Sequence, residues 1–168
     1  MAEQASQNGD PGTHHVDAYG SALAGDQLID PAEIPWVPQA DGVWFRPLRL
    51  SPELGTWTNL LRVTRQGVIN LHRHVAPVEA WVVTGQWRYL EHDWVAQPGS
   101  YVFEPAGDIH TLVTQGNEEM ITLFSMHGPI EYIGSDGEVT FVETAQTKMR
   151  RYLDFCESHR LPVAPVIR

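Results

Sequence analysis

From Trp36 to about Thr144 the chain alternates short apolar runs with polar punctuation. Runs rich in Val, Ile, Leu, Trp and Tyr span Val43–Leu50, Thr56–Thr64, Ala80–Thr84, Gln86–Glu91, Ser100–Glu104, Thr111–Thr114 and Met120–Met126, with Gly, Pro, Asp and Asn between them. Side chains of a strand alternate between two faces, so short runs of this kind bounded by turn residues read as strands. A series of them predicts an all-β sandwich or barrel. No long stretch here holds apolar residues at helical spacing. Thr84-Gly85 predicts a tight hairpin between two runs, and Ser135-Asp136-Gly137 predicts another between Ile130–Ile133 and Val139–Val142. After Thr147 the period changes. Met149, Tyr152, Leu153 and Cys156 recur at three- and four-residue spacing, which predicts one amphipathic helix over Thr147–His159, ended by Pro162. Ahead of the strands, residues 1 to about 30 are rich in Gly, Asp and Ala, with turn formers crowded into Asn8-Gly9-Asp10-Pro11-Gly12. The expected organisation is an arm over 1–30, flexible or exchanged between subunits, a barrel over 31–146, and a helix and tail over 147–168.

Composition narrows the class. A chain of 168 residues, 42% apolar and 19% charged, can bury a core without a disulfide or a metal to fold it. Eleven Lys and Arg against 21 Asp and Glu leave a net charge of −10, which repels phosphate backbones and anionic leaflets. Neither nucleic acid nor a membrane is an expected partner. The single cysteine, Cys156, cannot pair within the chain, and no long apolar span or signal-like start is present. A soluble, cytoplasmic protein is expected. Eight His and six Trp are what this leaves to explain.

Three histidines carry most of the information. His72 and His74 are two apart in an expected strand, so both imidazoles fall on one face, about 7 Å apart along it. His110 follows the turn-rich Pro105-Ala106-Gly107-Asp108-Ile109, which would deliver it to a neighbouring strand. Imidazole suits Fe(II), Zn, Ni and Cu(II), and three of them leave positions open for water, substrate or O₂. His-X-His alone also fits a solvated strand face. His14 and His15 sit in the arm, while His127 and His159 lack metal spacing.

The wider pattern resembles the cupin motifs. Gly67, His72, His74, Glu79 and Gly85 resemble the first; Gly99, Pro105, Gly107 and His110 match the second in spacing. Gly67 and Gly85 each stand one residue nearer their partners than in the family, and Thr114 stands where an Asn often follows the last His. The resemblance implies a cupin barrel (a double-stranded β-helix, or jelly roll) with an N-terminal arm and one C-terminal helix, and His72, His74 and His110 as metal ligands. A fourth, carboxylate ligand is chosen by register. Folding a hairpin at Thr84-Gly85 sets Trp81 opposite Arg88, Glu79 opposite Leu90 and Val78 opposite Glu91. Residues opposite one another share a face. The inward set would then be Val78, Ala80, Val82, Trp87, Tyr89 and Glu91, which favours Glu91; a bulge before Gly85 would favour Glu79 instead.

A longer string, including His72-Arg73-His74, Gly85-Gln-Trp-Arg-Tyr-Leu-Glu-His-Asp-Trp94, Gly99-Ser-Tyr-Val-Phe-Glu-Pro105 and His110-Thr-Leu112, is similar to 2,4′-dihydroxyacetophenone dioxygenase-like cupins. That group is related to acetylacetone-cleaving dioxygenase and to the ChrR-type anti-sigma cupin domain. Its members commonly carry His where Glu79 stands, which again favours Glu91. The resemblance implies a mononuclear non-haem Fe(II) centre, with Zn, Ni or Mn as other occupants, and a dioxygenase cleaving a C–C bond next to a ketone with O₂. No catalytic residue beyond the metal ligands is expected. Candidate walls of the substrate pocket are Trp44, Arg62, Trp87, Tyr89 and Phe103, with Trp57, Tyr101, Phe124, Arg46 and Arg88 as further aromatic and basic candidates. The competing readings are a non-catalytic Zn-binding sensor and a metal-dependent isomerase or lyase. Six Trp and the edge strands of such a barrel lead us to expect a homodimer or homotetramer.

Overall fold

The computed structural model describes residues 15–16, 22–23, 27–64 and 67–167. Its strands are β1 (His15–Val16), β2 (Ala22–Leu23), β3 (Val37–Ala40), β4 (Val43–Ser51), β5 (Thr56–Val63), β6 (Val68–His74), β7 (Val78–Thr84), β8 (Gln86–Tyr89), β9 (Tyr101–Glu104), β10 (Ile109–Gln115), β11 (Met120–Met126), β12 (Ile130–Ile133) and β13 (Val139–Glu143), followed by helix α1 (Ala145–His159). Strict alternation produces the buried faces. β5 buries Trp57, Asn59, Leu61 and Val63, and β11 buries Met120, Thr122, Phe124 and Met126. The strands form two antiparallel sheets, β3-β4-β5-β11-β7-β9 and β13-β12-β6-β10-β8, while β1 pairs only with β2. The core of Phe45, Trp57, Val82, Trp87, Tyr89 and Leu112 draws on both sheets and excludes water almost completely. Apart from β1, β2 and residues 27–30, the arm expected over 1–30 lies outside the described residues.

The hairpin at Ser135-Asp136-Gly137 forms, pairing Ile130 with Glu143 and Tyr132 with Phe141. The one at Thr84-Gly85 does not. β7 pairs with β11 and β9, and β8 pairs with β10, so the chain steps from one sheet to the other at Gly85. Gly85 has φ +68°, and a Cβ there would lie 2.3 Å from the Glu119 carbonyl oxygen. Glycine meets both demands of this corner, and the same dipeptide would serve a hairpin equally well. Only the distant partners of each strand distinguish the two. Val78, Ala80, Val82, Trp87 and Tyr89 are nonetheless all buried, because the inward phase of each strand survives the change of partner.

Helix α1 begins earlier than its apolar spacing indicates because Thr144 caps it. The Thr144 hydroxyl accepts from the Thr147 N–H and the Thr147 hydroxyl accepts from the Thr144 N–H, a reciprocal cap worth about 1 kcal/mol. Its buried residues are Ala145, Lys148, Tyr152 and Cys156, and it packs on β3 and β4. The tail returns along β4, where the Leu50 N–H donates to the Val166 carbonyl at 2.6 Å. No helix among the described residues is long and apolar enough to cross a membrane.

Candidate metal centre

β6 carries His72 and His74 on its inward phase, and β10 runs antiparallel beside it with His110 in register with His72. On the other flank of β6, Tyr132 of β12 is in register with His72. The turn before His110 is fixed to the same strand: the Gly107 N–H donates to the His74 carbonyl at 2.8 Å. Three imidazoles therefore meet on one wall. Their ring centroids are 4.7 to 5.2 Å apart, and one nitrogen from each lies within 4.8 Å of the others. All three are buried.

Burial dictates the charge of two of them. It pushes the His72 imidazolium pKa down to about 4, with His74 adding to the effect, and pushes His110 down to about 3, aided by His72. At neutral pH both are neutral and offer lone pairs. The His72 Nδ1–H donates to the Asn70 carbonyl at 2.7 Å, which leaves Nε2 as the free donor atom. His74 Nδ1 and both nitrogens of His110 are buried without a hydrogen-bond partner. A buried polar atom left unpaired costs about 1–3 kcal/mol, so such a concentration calls for an occupant.

The carboxylate that joins them is Glu104. It ends β9, is almost fully buried, and brings Oε2 to 2.9 Å from His74 Nε2 and 3.6 Å from His110 Nε2. That oxygen makes no aligned hydrogen bond, while Oε1 accepts from the Tyr89 hydroxyl at 2.5 Å. Neighbouring donors around one ion, with bonds of about 2.1 Å at right angles, stand about 3 Å apart. His72, His74 and His110 are placed to hold a cation of the kind that imidazole binds, with the Glu104 carboxylate beside two of them. Burial pushes the Glu104 pKa up, but His74, Tyr89 and His110 outweigh it and hold the carboxyl below the usual range. Tyr89, buried against that carboxylate and stacked on His110 with 3.5 Å between centroids, is driven well above the ordinary tyrosine value.

Glu91 and Glu79 lie elsewhere. β8 ends at Tyr89, so alternation does not carry on to Glu91; its exposed carboxylate accepts the Thr111 N–H at 2.8 Å. Glu79 faces outward from β7, accepts the Tyr101 hydroxyl at 3.1 Å and lies 3.7 Å from His127. The register that weighed these two against each other assumed the hairpin that is absent. Glu104 had its own signal in the sequence. In Tyr101-Val102-Phe103-Glu104 the aromatics occupy the exposed phase and the acid the inward one, the reverse of the usual polarity. His92 is half-buried, stacked on Trp94 and 3.6 Å from Asp108, which also lies 3.5 Å from His110 Nδ1. His159 stacks on Phe155 at the end of α1.

His72, His74 and Tyr89 border a cavity of about 40 Å³ inside the barrel. Trp57, Leu61, Phe124 and Met126 supply apolar wall; Gln39, Asn59, Tyr132 and Lys148 supply polar groups. Of the expected walls Trp44, Arg62, Trp87, Tyr89 and Phe103, only Tyr89 borders it. Trp44 and Arg62 are on the outer face of the larger sheet, stacked at 4.4 Å, with Arg62 and Arg46 also over Trp36. Phe103 is 56% exposed, and Trp87 is core behind Tyr89 and Phe124. Arg88 donates to the Tyr89 carbonyl at 3.2 Å. Lys148 and Gln39 were not anticipated, because they come from the terminal helix and the first long sheet's edge strand.

Comparison with known proteins agrees with this architecture. Residues 24–131 match the ChrR Cupin-like domain. An RmlC-like cupin protein from Ralstonia eutropha JMP134 superposes with a TM-score of 0.80 at 30% identity, covering 86% of this chain and 95% of that one. A protein of unknown function with a cupin-like fold from the same organism gives 0.78 at 19% identity, covering 87% and 95%. An acetylacetone dioxygenase from Acinetobacter johnsonii gives 0.70 at 20% identity, covering 80% and 95%. No curated protein matches the sequence. With two facing antiparallel sheets, three buried histidines on the inner wall and more than half of its length matched, the chain belongs to the ChrR-like cupin family.

Proposed function

We propose that this protein is a mononuclear non-haem Fe(II) dioxygenase that cleaves the C–C bond beside a ketone, acting on a hydroxyketone or diketone with O₂. The observation that carries the reading is the trio of buried His72, His74 and His110, with Glu104 beside them, of which His72 and His74 border a largely apolar cavity. The similarity of its motif strings to 2,4′-dihydroxyacetophenone dioxygenase-like cupins supports it. A ferrous ion held by His72, His74, His110 and Glu104 would supply a Lewis acid for one substrate oxygen and a binding position for O₂. Neutral imidazoles leave its charge largely undiminished, which favours the enolate form of a bound ketone.

The remaining work falls to the chain. Glu104, kept ionised, would present Oε2 to the ion, while the Tyr89 hydroxyl fixes Oε1 and so the plane of the carboxylate. Trp57, Leu61, Phe124 and Met126 keep water from the reacting carbons. We also propose a cytoplasmic protein, organised as a barrel over 31–146 with a helix and tail over 147–168. Subunits would pair through the outer face of β7 and β9, where Trp81, Tyr101 and Phe103 are 42%, 50% and 56% exposed.

The test is metal analysis after anaerobic purification, with O₂ uptake measured against hydroxyketones and β-diketones. Iron near one per chain with substrate-dependent O₂ uptake is the expected result. Retained Zn with no uptake would replace this reading by the sensor, which the match to the ChrR Cupin-like domain favours. Metal-dependent turnover without O₂ would replace it by an isomerase or lyase.

A further inference from the structure

An ammonium group inside an apolar barrel is costly unless it is paired, and Lys148 is 3% exposed. It projects from α1 into the cavity that His72 and His74 border. Its Nζ donates to Gln39 Oε1, lies 3.3 Å from Glu143 Oε2 and sits 4.3 Å from the centre of the Phe45 ring. Glu143, 1% exposed, has a second cation as well: Arg151 reaches the same oxygen at 3.5 Å. One carboxylate thus answers two cations, and the cluster carries a surplus of one positive charge. Arg151, the more exposed of the two, is a second counter-charge for Glu143. Lys148 is the nearer of the two cations to Glu143 and the one that borders the cavity.

The charge is also aimed. Gln39 accepts from Lys148 and donates through Nε2 to the Tyr132 hydroxyl at 3.2 Å, and the Tyr132 ring stands 5.8 Å from that of His72. A polar line therefore runs from α1 to the histidines, opposite an apolar wall that includes Trp57 and Phe124. A chain of net charge −10 does not draw anions in by its overall field, so an anionic ligand needs a local cation.

We infer that Lys148, positioned by Gln39, determines specificity by binding a carboxylate at the end of the substrate remote from the histidines, so that the preferred hydroxyketone or diketone is one that also carries an acid group. This rests on the reading of the cavity as a ketone site. A volume of about 40 Å³ favours a short aliphatic acid over an aryl one.

The test uses two matched short probes, 4-oxopentanoate and neutral 2,5-hexanedione, with binding to the full-length protein followed by calorimetry or by tryptophan fluorescence. Wild type should bind the anion at least tenfold more tightly. Lys148→Met should weaken the anion tenfold or more and leave the neutral probe within twofold. A lysine that merely balances Glu143 would change Tm and both affinities alike. Should Lys148→Met fail to fold, Gln39→Met, which keeps the charge but releases it, should weaken the anion alone by severalfold. Equal affinities in wild type, binding of neither probe, or an unchanged preference in the variants would overturn the inference. Binding needs no turnover, so absence of O₂ uptake with the anion preference intact would remove the oxidative reading and leave this one standing.

Discussion

Lowering the pH of the metal-stripped protein from 7 to 5 should remove about 4 kcal/mol of folding stability. His72 and His110 titrate at about 4 and about 3 in the fold, against 6.5 for an exposed histidine. Between pH 6.5 and 5 the unfolded chain takes up a proton on each, while the folded chain takes up neither. Each histidine therefore costs about 1.5 pH units at roughly 1.4 kcal/mol per unit, about 2 kcal/mol. A folded pKa below the unfolded one means that stability is complete above about pH 6.5 and falls as the pH drops toward the folded values. Against the 5–15 kcal/mol typical of a whole domain, a loss of this size is readily measured. Urea denaturation in EDTA, followed by tryptophan fluorescence at pH 7, 6 and 5, should show the midpoint falling with little change in m. His72→Gln should remove about half of the pH dependence. Stability constant to within 1 kcal/mol from pH 7 to 5 would refute the claim that these imidazoles are buried and neutral.

Metal content should separate the carboxylates. His72→Ala and His110→Ala should each lose the ion, Glu104→Gln should lose most of it, and Glu91→Gln and Glu79→Gln should retain it; iron retained by Glu104→Gln but lost from Glu91→Gln would reverse the assignment. Tyr89→Phe removes the hydroxyl that donates to the buried carboxylate and should cost about 1.5–3 kcal/mol in urea denaturation, with no measurable cost counting against a charged Glu104. Gly85→Ala forces a Cβ against the Glu119 carbonyl at a positive φ, and a loss of at least about 1 kcal/mol is expected from thermal unfolding. Light scattering should give a multiple of 18.9 kDa, reduced by Phe103→Lys; a wild-type monomer would remove the proposed pairing face.

The sequence by itself determined the local elements and their faces. A two-residue period is a property of the strand backbone, so the runs from Val43 to Glu143, and the burial of Val78, Ala80, Val82, Trp87 and Tyr89, were legible without knowing what each strand pairs with. His72 and His74 share a face for the same reason. Pairing is different. A strand offers hydrogen bonds along both edges, and a turn such as Thr84-Gly85 fixes only where the chain bends, not which sheet it enters next. The tertiary structure decided that β7 and β8 part company at Gly85, leaving Glu79 outside and Glu91 in a turn. It also decided that Glu104, from the edge of the larger sheet, reaches across to histidines on the smaller one. Lys148 makes the point over a longer distance. The apolar spacing of α1 named Met149, Tyr152, Leu153 and Cys156 and passed over Lys148, which only the packing of α1 on β3 and β4 turns toward the cavity, more than 70 residues along the chain from His74. The period-2 and period-3.6 signals are local and survive any change of partner, whereas a site built across two sheets and a helix exists only once those partners are chosen.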